Sequence, residues 1–171
     1  MAWLDEVGAV LSKYAERTGR ETGSEVETHF NQVATAAPSE ELSRGITEAF
    51  RSDNTPPFAD MITQLFERSS PVQKSNLVNL LLSALGSSGQ NIMARLGLNG
   101  IANGNQVAPE QAQTIEPQKV QELAAQAEKK DPTVLEQAGE FYSQHPSLVR
   151  SLGSAALAIV LAKIARSTRA M

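Results

Sequence analysis

Proline placement constrains the fold of this chain more than any other feature of its sequence. There are eight prolines, and each one precedes or opens an amphipathic segment. Proline has no backbone N–H and its φ is already helical, so it suits the first turn of a helix and disrupts a helix interior. The chain is thereby divided into a series of predicted helix starts: Pro38, Pro56, Pro57, Pro71, Pro109, Pro117, Pro132 and Pro146.

Capping residues stand at several of these starts. Ser70-Pro71-Val72-Gln73 combines an N-cap serine, a proline at the first helical position and a glutamine at the third, which predicts a capping box. Asp131-Pro132 indicates another capped start, and Ser24-Glu25-Val26-Glu27 predicts a capping box without proline.

Apolar residues between the starts recur every three or four positions, as on one face of a helix. The clearest stripes are Trp3, Leu4, Val7, Val10, Leu11 and Tyr14; Val26, Phe30 and Val33; Leu42, Ile46, Ala49 and Phe50; and Phe58, Met61, Ile62, Leu65 and Phe66. Residues 71–85 are apolar on most of their circumference, as in the central helix of a bundle. Aromatic residues make up only 5% of the chain, and no segment alternates convincingly as a strand does. We therefore predict an all-α fold.

The composition changes between residues 86 and 108. Glycine alternates there with serine and asparagine, and Arg95 is the only charged residue. This pattern predicts a Gly/Asn-rich linker over residues 87–108, with one short helix indicated by Ile92, Met93, Leu96 and Leu98. The expected layout is an N-terminal helical domain (1–86), this linker, and a smaller C-terminal helical module (109–171) that ends in an apolar helix of small residues.

Three stretches of the chain resemble a known family. They are Met1-Ala2-Trp3-Leu4-Asp5-Glu6-Val7, the block from Thr55-Pro56-Pro57-Phe58 to Leu77-Val78-Asn79-Leu80-Leu81, and the segment Glu140 to Val149. Together they resemble the YidB-like family of bacterial proteins of unknown function. The resemblance implies an all-α fold and no assigned catalytic residues.

The sequence contains no recognisable catalytic or metal site. There is no cysteine, which excludes disulfides, thiol catalysis and thiolate metal ligands. His29 follows Glu25 by four positions on one helix face, so an acid–base or metal pair is conceivable; a surface pair is favoured because a metal site needs three or four ligands. His145 directly precedes Pro146 and is typical of a helix boundary.

The acidic pairs Asp5-Glu6 and Glu40-Glu41 fall in predicted first helical turns, where they complement the helix dipole. The glycines near position 100 lack the lysine and the preceding strand of a phosphate loop, and no serine occupies a Gly-x-Ser-x-Gly elbow. We therefore expect a non-enzymatic protein with no cofactor, no metal and no small-molecule substrate.

Charge and hydropathy bear on partners and location. The formal net charge of -4 disfavours nucleic-acid binding. The first residues are acidic, unlike a secretory signal, and the apolar segment 151–162 is shorter than the roughly 20 residues that span a bilayer. We expect a soluble, cytoplasmic protein, with the surface of the inner membrane as a second location.

The predicted C-terminal helix is the most unusual segment. Leu148, Leu152, Ala155 and Ile159 form one stripe, called the C-terminal stripe below, and small residues cover much of the remaining surface. Small residues let helix backbones approach closely. Three interpretations remain open: a buried core helix, a helix paired between subunits, and a membrane-surface anchor whose basic residues Lys163, Arg166 and Arg169 lie at the headgroups.

The first helix is a second apolar surface near a chain terminus. We accordingly predict a homo-oligomeric scaffold or assembly, whose partner is the protein itself. The alternative is a peripheral membrane-associated or membrane-perturbing protein that acts through its C-terminal helix. The predicted self-association residues are Trp3, Leu4, Val7, Leu11, Leu148, Leu152, Ala155 and Ile159.

Overall fold

A computed structural model describes residues 7–10, 24–52, 55–98, 102–103 and 106–169. Helices dominate the described residues, which confirms the all-α prediction, and the strands among them form one short antiparallel pair. Residues 7–10 are helical. The labelled elements are α1 (Ser24–Ala36), α2 (Ser39–Arg51), α3 (Phe58–Glu67), α4 (Pro71–Leu85), a 3₁₀ turn (Gly86–Ser88), α5 (Gly89–Arg95), β1 (Ala102–Asn103), β2 (Gln106–Val107), α6 (Pro109–Ala112), α7 (Pro117–Lys130), α8 (Val134–Ser143), α9 (Pro146–Val149), a second 3₁₀ turn (Arg150–Leu152) and α10 (Ser154–Arg169).

Helix starts follow the prolines. Pro71, Pro109, Pro117 and Pro146 each open their helix, and Pro38 is the N-cap residue of α2. The predicted capping box at the start of α4 is confirmed in both directions. The Gln73 backbone N–H donates to Ser70 Oγ over 3.3 Å, and the Ser70 N–H donates to Gln73 Oε1 over 2.8 Å. The capping box predicted at Ser24 involves side chains outside those described.

The chain forms two compact units. Unit 1 comprises Met1–Pro57 and Gly139–Met171, and unit 2 comprises Phe58–Ala138. This division differs from the predicted boundary at residue 86 and the predicted module 109–171. The reason is that α10 packs against α1 and α2, so the two ends of the chain build one core. Unit 2 is consequently an insertion in the sequence of unit 1.

Glycines lie at two close helix contacts of unit 1. A Cβ placed on Gly45 of α2 would lie 2.7 Å from Val160 Cγ1 and 2.9 Å from the Val160 carbonyl oxygen on α10. A Cβ on Gly139 of α8 would lie 2.9 Å from the Ser43 carbonyl oxygen and would collide with Thr47 Oγ1. These distances leave no room for a methyl group. Gly45 therefore allows α10 to approach α2, and Gly139 allows α8 to approach α2.

Unit 2 is built around α4. This helix packs against α6 and α7, and α3 also packs against α7. Leu77, Val78, Leu81 and Leu85 of α4 are buried. Asn76 and Ser83 are exposed together with Val72, so α4 is central but keeps one solvent-facing side.

The described part of the predicted linker contains secondary structure and buried side chains. Residues 89–95 form α5, and Ile92, Met93 and Leu98 are buried. The short helix predicted there is confirmed as α5, and the β1–β2 pair and the buried Val107 differ from the predicted linker. Small, uncharged residues occur both in solvated linkers and in tightly packed segments, so local composition alone does not distinguish the two.

Side chains of α4 anchor β2 within this region. The Val107 N–H donates to Asn79 Oδ1 over 2.7 Å, and the Val107 carbonyl accepts from Asn79 Nδ2 over 3.2 Å. Ser75 Oγ donates to the same carbonyl over 2.6 Å. One side-chain amide thus pairs both backbone groups of a buried residue, as a neighbouring strand would.

We expect Gly45→Ala to lower the free energy of unfolding by roughly 1–3 kcal/mol, because the added methyl forces α10 away from α2. The higher helix propensity of alanine offsets part of this loss. Urea denaturation followed by circular dichroism measures the effect. Gly8→Ala is the matched control, because a Cβ at that helical glycine would meet no described atom within 4 Å. A Gly45→Ala protein as stable as the wild type would contradict the close approach.

We expect Asn79→Ala to lower the free energy of unfolding by about 1–3 kcal/mol, because it leaves the buried Val107 backbone groups without their amide partner. Denaturant unfolding gives the size of the loss, and hydrogen exchange at the Val107 amide shows where it arises. The control is Asn76→Ala on the same helix, where the side chain is exposed and a change within about 0.5 kcal/mol is expected. Equal effects of the two substitutions would refute the anchoring role.

Candidate functional site

The apolar residues of α10 are divided between a buried and an accessible face. Leu157, Val160, Leu161 and Ile164 are fully buried in unit 1, where α10 lies against α1 and α2. The alanines at 156, 158, 162 and 165 are also buried. The core-helix interpretation therefore fits these four large side chains of α10, which are buried within their own chain.

The C-terminal stripe has a different environment. Ala155 is exposed, and Leu148, Leu152 and Ile159 are half-buried. Ala155 and Ile159 lie four residues apart on α10, so they share its accessible face. All four residues of the C-terminal stripe are therefore accessible to solvent, whereas the other large apolar side chains of α10 are buried.

A bend divides the stripe. The sequence predicts one helix from Pro146 onward, and this prediction is wrong, because Gly153 has a φ of +97° and separates α10 from the preceding 3₁₀ turn. Backbone in this conformation is readily adopted only by glycine. Leu148 in α9 and Leu152 in the 3₁₀ turn form the first half of the stripe, and the α10 residues form the second.

The N-terminal residues predicted for self-association differ from the C-terminal stripe. Val7 is only 2% exposed, so its side chain belongs to the core and is not available to a second copy. An apolar helix near a chain terminus buries its stripe within its own chain when a partner face is present, and the sequence pattern does not reveal that face. Trp3, Leu4 and Leu11 lie outside the described residues.

Basic residues continue the accessible face of α10. Lys163 is half-buried and Arg166 is exposed, at spacings of four and then three residues beyond Ile159. The sequence holds no acidic residue after Glu140. The outer face of α10 therefore changes from apolar to cationic along its length.

Unit 2 contains an open groove that sequence reasoning missed. Its volume is about 340 Å³, and its lining comes from the C-terminal end of α5 and the N-terminal part of α7: Ile92, Arg95, Leu96, Glu116, Gln118, Lys119 and Glu122. Arg95 and Lys119 lie near the end of α5, where cations complement the helix dipole. Gly97, which follows α5 and has a φ of +74°, indicates a helix terminus. It does not indicate a groove.

The two histidines lie at different helices. His29 is half-buried on α1, and His145 is the N-cap residue of α9, with its ring centroid 5.1 Å from that of Phe141. Within the described ranges, no group of three or more metal-ligating side chains is placed to hold an ion. A metal centre would need three or four such ligands, and the side chain of Glu25 lies outside those described.

Glu41 is buried, whereas the sequence indicates only an acid that complements the helix dipole in a first helical turn. It is 8% exposed, and its Oε1 accepts a hydrogen bond from Arg44 Nη1 over 3.2 Å. Its Oε2 has no hydrogen-bond partner among the residues that the structure describes. The neighbouring Glu40 is exposed, and only the packing of α2 in unit 1 distinguishes these two adjacent acids.

Comparison of the chain with protein-family models, with curated proteins and with solved structures found no match. The resemblance to the YidB-like family therefore stays a prediction. None of the described helices has both the length and the hydropathy needed to cross a membrane.

Proposed function

We propose that this chain is a non-enzymatic helical protein that associates with copies of itself, through the C-terminal stripe, into a homo-oligomeric scaffold or assembly. The observation that carries the proposal is a contrast in exposure. Leu148, Leu152 and Ile159 stay half-buried and Ala155 exposed, whereas the other large apolar side chains of α10 are fully buried.

The size of the stripe sets the strength of the proposed contact. Burying apolar surface contributes roughly 25 cal/mol per Å², so three half-buried side chains and one alanine give only a modest gain for each contact. Loss of translational and rotational freedom opposes association. Assembly through this surface is therefore concentration-dependent, and in a closed symmetric oligomer each copy uses the same residues.

We expect the wild-type protein to sediment at a multiple of 18.3 kDa at micromolar concentration. Ala155→Glu should shift it toward the monomer, because it places a charge within the apolar contact while altering only an exposed position. Ile159→Glu should do so more strongly. Sedimentation velocity gives the masses, and circular dichroism shows that each variant is folded.

Ser147→Glu is the matched control, because it adds the same charge at an exposed residue of α9 outside the stripe. A wild-type protein that remains a monomer would overturn the proposed function. If the wild-type protein is an oligomer and Ala155→Glu leaves it as intact as Ser147→Glu does, the protein self-associates but the C-terminal stripe is not its interface.

Membership of the YidB-like family and a cytoplasmic location form part of the same proposal. The observation that supports the family part is that the stretches carrying the resemblance contain helices of the fold. The block at 55–81 contains α3 and most of α4, and the segment 140–149 covers the end of α8 and α9.

The second candidate is a protein of the membrane surface, favoured by the basic residues Lys163 and Arg166 beyond the apolar half of the α10 face. Its weakness is that Leu157, Val160, Leu161 and Ile164, which an interfacial helix would insert into lipid, are fully buried in unit 1.

We therefore expect full-length protein to stay at the bottom of a flotation gradient with liposomes rich in anionic lipid. The remaining accessible apolar area is small, and one or two surface cations add only about 1 kcal/mol each at an anionic surface. Protein that floats, and no longer floats after Lys163→Gln and Arg166→Gln together, would favour the membrane candidate over self-association.

A further inference from the structure

We draw no further inference here: the strongest candidate, the open groove in unit 2 between the C-terminal end of α5 and the N-terminal part of α7, carries none, because Arg95 and Lys119 on its rim are balanced by Glu116 and Glu122 and nothing in the structure shows what covers it.

Discussion

The approach of α10 to α2 at Gly45 is the contact on which the organisation of unit 1 depends. With a methyl group at this position, Val160 and its carbonyl oxygen would be too close. Glycine in a helix costs about 0.5–1 kcal/mol relative to alanine, and the dense packing of two backbones compensates for that cost. Gly139 allows the same approach of α8 to α2. Segments far apart in the sequence are thereby joined into one core.

This packing also determines which residues of α10 face outward. A helix with large apolar residues on one face and alanine on much of the rest has more than one way to bury itself. In unit 1 the face that contains Leu157, Val160, Leu161 and Ile164 lies inward, and that choice leaves Ala155, Ile159, Lys163 and Arg166 on the outside. The proposed self-association surface is therefore a consequence of the intramolecular contacts, since it consists of what those contacts do not cover.

Unit 2 is organised by a different kind of interaction. Asn79 on α4 pairs with both backbone groups of Val107, and Ser75 adds a third hydrogen bond to the same residue. A buried backbone group without a partner is costly, so this polar contact specifies where β2 lies against α4. A segment rich in glycine and asparagine is held in place by side chains that precede it by about 30 residues.

The sequence by itself determined where several helices begin and which residues of each helix are apolar. Proline at first helical positions, the Ser70–Gln73 capping box and the spacing of residues such as Phe58, Met61 and Leu65 act locally, so they can be read without knowing the fold. The bend at Gly153 also depends on local conformation, but glycine is tolerated in a helix as well as at its end, so the residue alone did not reveal it.

Only the tertiary structure decided which helices share a core. The boundary predicted at residue 86 differs from the observed units because α10 returns to α1 and α2, and such a contact leaves no mark in local composition. The segment predicted as a linker is instead held by contacts within unit 2, such as those of Asn79 with Val107. Tertiary packing buried Val7 and Leu157, left Ala155 and Ile159 accessible, and buried Glu41 beside an exposed Glu40. Periodicity identifies an apolar face, whereas burial depends on the partner that the face meets.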